Sequence, residues 1–251
     1  MRETNEDRFL VRDERRATLL AVADGVGGEA GGEMASGAAI DALARRFYDA
    51  RPGTSFADAL TAAMRSANDA VIQGAGASGQ HGAASTLVAV AVAGTSAVIG
   101  NLGDSRAYLV RDSEIRRLTA DHTGDYPSSI TRFVGDPRGV QPDVFVETLR
   151  PGDRLLLCSD GLTRHVPDEE IAARAKRGDL TRAVNSLVDL ARSRGGEDNI
   201  TVVLYASRAR FGLAEARRDL TSAILALLIV LVVVGTIATL IFASGAYPAS
   251  R

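Results

Sequence analysis

The stretch LLAVADGVGG at residues 19–28 decides the fold, because an apolar run ends there in an aspartate and a glycine-rich turn. A short run of leucine, valine and alanine predicts a buried β-strand, and the glycines after Asp24 predict a turn. The stretch LLLCSDG at residues 155–161 has the same order of apolar run, aspartate and glycine. The sequence therefore predicts strands that end in acidic residues.

Further strand and helix patterns, mixed without regular alternation, extend this prediction over the first 206 residues. Strands are predicted at 18–23, 86–92, 97–102, 107–110, 144–149, 154–158 and 200–205. Helices are predicted at 32–48, 56–73, 168–176 and 181–192, with Asp168 as an N-cap and Gly178 as a stop. Loops are predicted at 74–82 and 121–139. Helix pairs on either side of a run of strands favour an α+β fold with two antiparallel β-sheets sandwiched between helical layers.

One C-terminal transmembrane helix is predicted to follow this domain. The stretch LTSAILALLIVLVVVGTIATLIF at residues 220–242 has no charged residue and would span about 34 Å as a helix. The alternative is a buried core helix. The predicted organisation is a domain at 1–206, a juxtamembrane linker at 207–219, the span at 220–242 and a short tail at 243–251.

Charges beside this span predict how it is oriented. Four arginines precede the span and one follows it: Arg208, Arg210, Arg217 and Arg218, then Arg251. Because positive charge stays on the cytoplasmic side, the domain is expected in the cytoplasm, anchored to the cell membrane by a single pass. The apolar run is also far from the N-terminus, so it is not a signal peptide, and the domain is expected not to be exported.

Composition excludes some functions. The net charge is −2, aromatic residues make up 5% and tryptophan is absent, so nucleic acid is not expected as a partner. The single cysteine, Cys158, cannot form an internal disulfide; it is expected to be a buried apolar residue, with a reactive thiol as the alternative. His81, His122 and His165 lack metal-ligand spacing and are expected to be solvated or hydrogen-bonded.

Aspartates recur beside the predicted strands. They are Asp24, Asp104, Asp160 and Asp198. Taken singly, Asp-Gly and Gly-Asp pairs are ordinary turn formers. Taken together, carboxylates at neighbouring strand ends would share a small volume and repel one another unless a cation is present. Oxygen ligands without histidine or cysteine favour hard ions, so magnesium or manganese is predicted.

Five short strings carry a family resemblance. They are RETNED at 2–7, ADGVGG at 23–28, GDSRAY at 103–108, SDGL at 159–162 and GGEDNIT at 195–201. In order and spacing they resemble the bacterial branch of the metal-dependent protein phosphatases of the 2C type. This resemblance implies a membrane-anchored serine/threonine phosphatase that hydrolyses phosphoserine and phosphothreonine on cytoplasmic proteins. A hydroxide bridging two metal ions would be the nucleophile, and membrane kinases and their substrates would be among its partners.

The resemblance also implies a role for each site residue. Asp24 would bridge two Mn²⁺ or Mg²⁺ ions, the carbonyl of Gly25 would bind one of them, and Asp160 and Asp198 would hold the other. Asp104 matches the ligand of a third, weaker ion. Asp7, with Glu6, would orient metal-bound water, and Arg2 would grip the substrate phosphate.

The sequence departs from the family pattern at three places. No histidine aligns with the general acid proposed in eukaryotic members, so a metal-bound water is the expected proton donor. Residues 122–139 form a shorter segment than the usual flap. The sequence opens at Met1-Arg2, without the strand that usually precedes the arginine, so either the start is trimmed or the first sheet lacks an edge strand.

Two other functions are weighed against the phosphatase. An inactive relative that binds phosphoproteins or scaffolds a membrane complex would have lost its metal ligands, whereas Asp24, Asp160 and Asp198 are all present. A nucleotide phosphate loop at GVGGEAGG, residues 25–32, lacks the Gly-Lys-Ser/Thr ending and the spacing of a dinucleotide fingerprint. We interpret this stretch as a turn that leads into a helix.

Overall fold

The structure is a computed structural model that describes residues 4–14, 16–26, 28–112, 114–126 and 129–207. The strands are β1 (Asp7–Asp13), β2 (Thr18–Val26), β3 (Ala84–Ser85), β4 (Leu87–Ala93), β5 (Ser96–Leu102), β6 (Arg106–Arg111), β7 (Glu114–Arg117), β8 (Asp143–Thr148), β9 (Arg154–Cys158) and β10 (Val202–Ala206). The helices are α1 (Glu29–Tyr48), α2 (Phe56–Ser78), α3 (Asp160–Thr163), α4 (Asp168–Ala175) and α5 (Leu180–Ser193).

The described strands form two antiparallel sheets. The first has the order β1-β2-β4-β5-β8, with β3 paired to the end of β2, and the second has the order β10-β9-β6-β7. Strand β2 lies inside the first sheet, between β1 and β4. Its residues 19–23 are fully buried, which explains why this strand reads as an almost continuous apolar run.

Alternation along β2 builds two layers of the core at once. Leu20 and Val22 pack between the sheets with residues such as Leu155 and Leu157 of β9. Leu19 and Ala21 point the other way, into a cluster with the side chains of α1 and α2. Successive strand residues face opposite sides of a sheet, so a strand covered on both faces must be apolar at every position.

Helices cover the outer faces of both sheets. Helices α1 and α2 pack on the first sheet, whereas α4 and α5 pack on the second through a cluster that includes Tyr108, Leu156, Ile171 and Leu187. Burying a large apolar side chain contributes about 1.5–3 kcal/mol, so these three clusters hold the layers together. The predicted α+β fold, with two antiparallel sheets between helical layers, is confirmed for the described residues.

The predicted loop at 74–82 is wrong over its first half, because α2 continues to Ser78. Glycine at position 74 lets the helix pass close to α1: a Cβ there would lie 2.7 Å from Met34 Sδ. The helix ends at Gly79, which has the left-handed backbone (φ 70°) that favours glycine. Close helix packing, which the local sequence does not show, explains this difference.

Other boundaries also differ. Strands β1 and β7 and the short helix α3 were not predicted, because their charged or very short sequences carry little apolar periodicity. Asp168 begins α4, but Pro167 stands at the N-cap position. Asp179 is instead the aspartate whose side chain caps a helix, accepting a hydrogen bond from Arg182 N at 2.9 Å. The predicted loop at 121–139 contains no element beyond isolated bridges in its described residues.

No helix in the described part of the chain is both long and apolar enough to cross a membrane. The predicted span at 220–242 and the tail at 243–251 lie outside the described residues, as does the linker beyond Ser207.

Asp153 is a buried charge that joins the two sheets, and its loss is expected to destabilise the fold. Its carboxylate accepts hydrogen bonds from Arg111 Nε at 2.9 Å, Arg111 NH2 at 2.6 Å and Arg150 N at 2.6 Å. Asp153→Asn is expected to lower the free energy of unfolding by about 1–3 kcal/mol at pH 7, because hydrogen bonds to a charged group are lost. Urea denaturation measures this difference, and Asp125→Asn in an exposed loop is the matched control.

The same variant has a defined pH dependence. Burial by itself would raise the pKa of Asp153, but the hydrogen bonds from Arg111 and Arg150 outweigh it and lower the pKa below its usual range. A lowered pKa in the folded state stabilises the protein above the unfolded pKa of about 3.9, and this stabilisation is lost as the pH falls. The difference in the free energy of unfolding between wild type and Asp153→Asn should therefore shrink on acidification below about pH 4. An equal difference in the free energy of unfolding at pH 7 and at pH 3 would contradict a stabilising role for the charged Asp153 carboxylate.

Candidate active site

Two aspartates meet where β1 and β2 pair. Asp7 at the start of β1 lies opposite Asp24 near the end of β2 in the antiparallel register. The backbone of Asp24 is fixed by Thr86, whose Oγ1 accepts from Asp24 N at 3.0 Å and whose N donates to Asp24 O at 2.9 Å. Because opposite residues of an antiparallel pair lie on the same face of the sheet, the two carboxylates are held near each other.

A serine ties this pair to the second sheet. Ser159 directly precedes Asp160, and its Oγ donates to Asp7 Oδ2 at 2.7 Å and accepts from Thr201 N at 3.0 Å. Ser159 N also donates to Thr201 O at 3.1 Å. These bonds hold the end of β9, and Asp160 after it, beside the first sheet.

Asn199 positions the neighbouring Asp198. Its Oδ1 accepts from Glu6 N at 2.9 Å, its Nδ2 donates to Thr4 O at 3.0 Å and its N donates to Asp198 Oδ1 at 2.9 Å. The segment before β10 is thereby fastened to the start of β1. Asp198 therefore lies at the same end of the two sheets as Asp7 and Asp160.

Gly161 lets the loops of Asp160 and Asp198 pack against each other. A Cβ at this position would lie 2.0 Å from Asn199 O, a distance that no real side chain tolerates. Gly161→Ala is expected to lower the free energy of unfolding by about 1–3 kcal/mol and to weaken metal binding, because the two loops must separate. Denaturation and calorimetry measure both effects. Gly37→Ala in α1, where a Cβ meets open space, should be neutral or stabilising, and equal behaviour of the two variants would contradict the prediction.

Asp104 lies in the turn between β5 and β6. The turn is held by His122, whose Nδ1 accepts from Gly103 N at 3.1 Å and whose Nε2 lies 2.9 Å from Asp143 Oδ2. His122 is therefore a hydrogen-bonded histidine, as predicted. Gly103 has a φ of 111° and packs against Thr86, the residue that also fixes Asp24.

Burial and mutual repulsion raise the pKa values of several of these carboxylates. Burial, followed by the charges of Asp7, Asp160, Asp198 and Asp104, raises the pKa of Asp24 well above its usual range. Burial is the largest cause that raises the pKa of Asp7; the hydrogen bonds from Thr201 and Ser159 oppose it, and the charges of Asp198 and Asp160 add smaller upward contributions. The pKa of Asp104 is raised by burial and then by Asp160. The five aspartates thus share one electrostatic site.

This site fits divalent cations. As the side chains stand in the described residues, no group of three or more histidine, cysteine, aspartate or glutamate side chains is placed to hold a metal ion. The coupled carboxylates nevertheless lie close enough to repel one another, and Asp7 Oδ1 is buried without a hydrogen-bond partner in the described part of the chain. Acidic side chains so close together can reach a shared ion by small rotations. Oxygen-only ligands suit Mg²⁺ or Mn²⁺.

Arg164 is a site residue that the sequence did not predict. Its NH2 forms an ion pair with Asp160 Oδ2, and its NH1 lies 3.6 Å from Asp198 Oδ2. The only sequence signal is the four-residue spacing between Asp160 and Arg164, which is common on helix surfaces. Thr86, Ser159 and Asn199 were also missed, because each acts through contacts with residues distant in sequence.

The structure brings together Asp7, Asp24, Asp104, Asp160 and Asp198, and it places Glu6 and Gly25 beside them. Gly25 N donates to Glu6 O at 3.3 Å, and the Glu6 carboxyl passes over Gly32, where a Cβ would lie 2.9 Å from Glu6 Cδ. Arg2 lies outside the described residues. The individual roles as metal ligands, water-orienting residue and phosphate-binding residue stay predictions.

The other predictions about single residues are settled by burial and position. Cys158 is fully buried and burial raises its pKa, so it is the predicted apolar core residue rather than a reactive thiol. The stretch at 25–32 passes from the end of β2 into α1, which begins at Glu29 after Gly28. The interpretation as a turn into a helix is thereby confirmed.

The fold and the carboxylate site define a class, the metal-dependent phosphatases with two packed sheets between helices. A family profile described as protein phosphatase 2C matches residues 2–204. The chain therefore belongs to the protein phosphatase 2C family, among the bacterial serine/threonine phosphatases. The predicted resemblance to the 2C-type protein phosphatases is thereby confirmed as family membership.

Relatives in several bacteria support this assignment. The serine/threonine protein phosphatase PstP of Mycobacterium tuberculosis is 36% identical over 223 residues, which cover 79% of this chain and 43% of that protein. The chain thus spans less than half the length of that relative. The serine/threonine phosphatase stp of Listeria innocua is 32% identical over 228 residues, which cover 81% of this chain and 90% of that protein.

Solved structures agree with the fold. The catalytic domain of PstP in complex with two manganese ions superposes with a TM-score of 0.72 at 36% identity, covering 81% of this chain and 92% of that domain. A Streptococcus agalactiae serine/threonine phosphatase gives a TM-score of 0.76 at 27% identity, covering 82% of this chain and 95% of that chain.

Proposed function

We propose that this chain hydrolyses phosphoserine and phosphothreonine in proteins with Mn²⁺ or Mg²⁺ as cofactor. The observation that carries the proposal is the convergence of five aspartates, where burial and then the negative charges of the other four raise the pKa of Asp24 well above its usual range. A site that concentrates negative charge in this way is suited to binding cations rather than to binding a phosphate directly. The two manganese ions of the related PstP domain support the same conclusion.

We assign the ligands as the resemblance implies. Asp24 would hold both ions, the carbonyl of Gly25 would bind one of them, Asp160 and Asp198 would bind the other, and Asp104 would hold a third. Bound there, the ions would activate water for attack on phosphorus and neutralise the phosphoryl oxygens. The fixed backbones of these residues keep the carboxylates at their positions before substrate arrives.

Asp7 and Glu6 would orient the attacking water. Asp7 Oδ2 accepts a hydrogen bond from Ser159 Oγ, whereas Asp7 Oδ1 has no hydrogen-bond partner in the described residues and can accept a hydrogen bond from a water molecule. Arg2, at the start of the chain, would bind the substrate phosphate through its planar guanidinium.

Removing the metal tests the proposal directly. The full chain in detergent is incubated with a phosphothreonine peptide, and released phosphate is measured with Mn²⁺, with chelator, and after Mn²⁺ is restored. Turnover should fall by about 100-fold or more with chelator and return with the ion, because activation of the water depends on it. Turnover that is insensitive to chelator, or no turnover by a folded and metal-loaded protein, would contradict the proposal.

We further propose that residues 220–242 anchor the enzyme in the cell membrane with its catalytic domain in the cytoplasm. The support is the length and apolarity of this stretch and the arginines before it. Anchoring would raise the effective concentration of membrane substrates, such as membrane kinases and their neighbours. Cell fractionation should find the full chain in the membrane and a chain ending at Ser207 in the soluble fraction. Recovery of both in the soluble fraction would contradict anchoring.

A further inference from the structure

Arg164 bridges two of the carboxylates that are assigned to one metal ion. It follows α3, and its N donates to Asp160 O at 2.9 Å, so its backbone position is set by the same short helix that carries Asp160. Its guanidinium reaches both Asp160 Oδ2 and Asp198 Oδ2. Asp160 follows the end of β9 and Asp198 precedes the start of β10, two strand ends that pair with each other, so the contact is more than a local helix-surface pair.

We propose that Arg164 is an internal competitor of the metal ion at Asp160 and Asp198 and thereby sets the metal affinity of this side of the site. The proposal rests on the proposed metal dependence and adds a residue that tunes it. A carboxylate oxygen that accepts a hydrogen bond from a guanidinium has fewer lone pairs for a metal ion, and two cations so close repel. Metal binding at these oxygens must therefore displace Arg164 or weaken its ion pairs.

The exposure of the three side chains allows this exchange. The Arg164 side chain is 47% exposed, whereas those of Asp160 and Asp198 are 14% and 13% exposed. The arginine can therefore turn into solvent on its flexible stem, while the carboxylates stay in place. Loss of the ion pairs costs little for a partly exposed arginine, so the competition is expected to be moderate rather than a block.

The electrostatic surroundings support the same role. Burial would lower the pKa of Arg164, but Asp160, Asp198 and then Asp104 raise it. Arg164 therefore responds to three of the four aspartates assigned as metal ligands. A purely structural arginine would predict the opposite result on removal: carboxylates that lose their support would bind metal more weakly.

Calorimetry of Mn²⁺ binding to the full chain in detergent distinguishes these two roles without measuring activity. Arg164→Gln should lower the dissociation constant for Mn²⁺ by about two- to fivefold, the range expected for a partly exposed ion pair. Arg164→Lys keeps the charge but not the two-pronged donor, so it should fall between wild type and Arg164→Gln. Arg182→Gln removes an 88% exposed arginine from a surface pair with Asp179 and should leave the affinity unchanged.

Thermal denaturation gives a second measurement. The rise in melting temperature on adding saturating Mn²⁺ should be larger for Arg164→Gln than for wild type, because tighter binding stabilises the folded state more. Unchanged or weaker Mn²⁺ binding by Arg164→Gln would overturn the proposal, and so would the absence of Mn²⁺ binding in both proteins. Tighter binding without hydrolysis of a phosphothreonine peptide would support the competition and contradict only the proposed function.

Discussion

Replacing Asp24 by asparagine is expected to lower the metal-dependent turnover of a phosphothreonine peptide by about 1000-fold or more. Asp24 lies within the electrostatic reach of all four other aspartates of the site. Burial and then the charges of Asp7, Asp160, Asp198 and Asp104 raise its pKa. An asparagine of the same size loses the negative charge that a bridging ligand supplies. Steady-state kinetics over a range of Mn²⁺ concentrations measures the loss, and the exposed Asp41→Asn on α1 is the matched control.

Stability should change in the opposite direction in the same variant. An aspartate whose pKa is raised in the folded state destabilises the protein as the pH rises from the unfolded pKa through the folded one. At pH 7 with chelator, Asp24→Asn should therefore unfold at higher denaturant concentration than wild type. If Asp24→Asn loses activity but gains stability, then the negative charge of Asp24 serves function at the expense of stability. A variant that loses both would indicate a structural role for Asp24 and would contradict the assignment.

The apolar strands and their aspartates could be predicted because their signals are local. Strand β2 is covered on both faces, so each of its residues 19–23 had to be apolar, and this produced an unmistakable run before Asp24. The prediction that aspartates converge followed from strand ends meeting at one end of a sheet. Family motifs then assigned their roles.

Features fixed by distant contacts could not be predicted. Strand β1 lies at the edge of the first sheet among the described strands, and its sequence DRFLVRD has exposed and charged residues that weaken the strand signal. Ser159 gains its role only because β1 delivers Asp7 next to it, 152 residues away in sequence. Arg164 could be recognised as a site residue only once Asp198 was placed opposite Asp160.

Asp7→Asn should separate orientation of water from metal binding. We expect turnover of a phosphothreonine peptide to fall by about 10- to 100-fold, as for residues that act behind the metal ligands, while the Mn²⁺ dissociation constant changes by less than about threefold. Asparagine can still accept the hydrogen bond from Ser159 Oγ through its Oδ1. Its amide group then replaces the second carboxylate oxygen, Oδ1 of Asp7, so a donor stands where the water needs an acceptor.

The comparison with Asp24→Asn makes this prediction specific. Both variants remove one negative charge from the same buried site, and Asp7 and Asp24 lie opposite each other in the β1–β2 register. If charge alone controlled metal binding, the two variants would weaken Mn²⁺ binding equally. If Asp7 orients water, calorimetry should show near-normal Mn²⁺ binding for Asp7→Asn together with a lowered kcat. Equal loss of Mn²⁺ affinity in the two variants would make Asp7 a metal ligand and would require a different residue to orient the water.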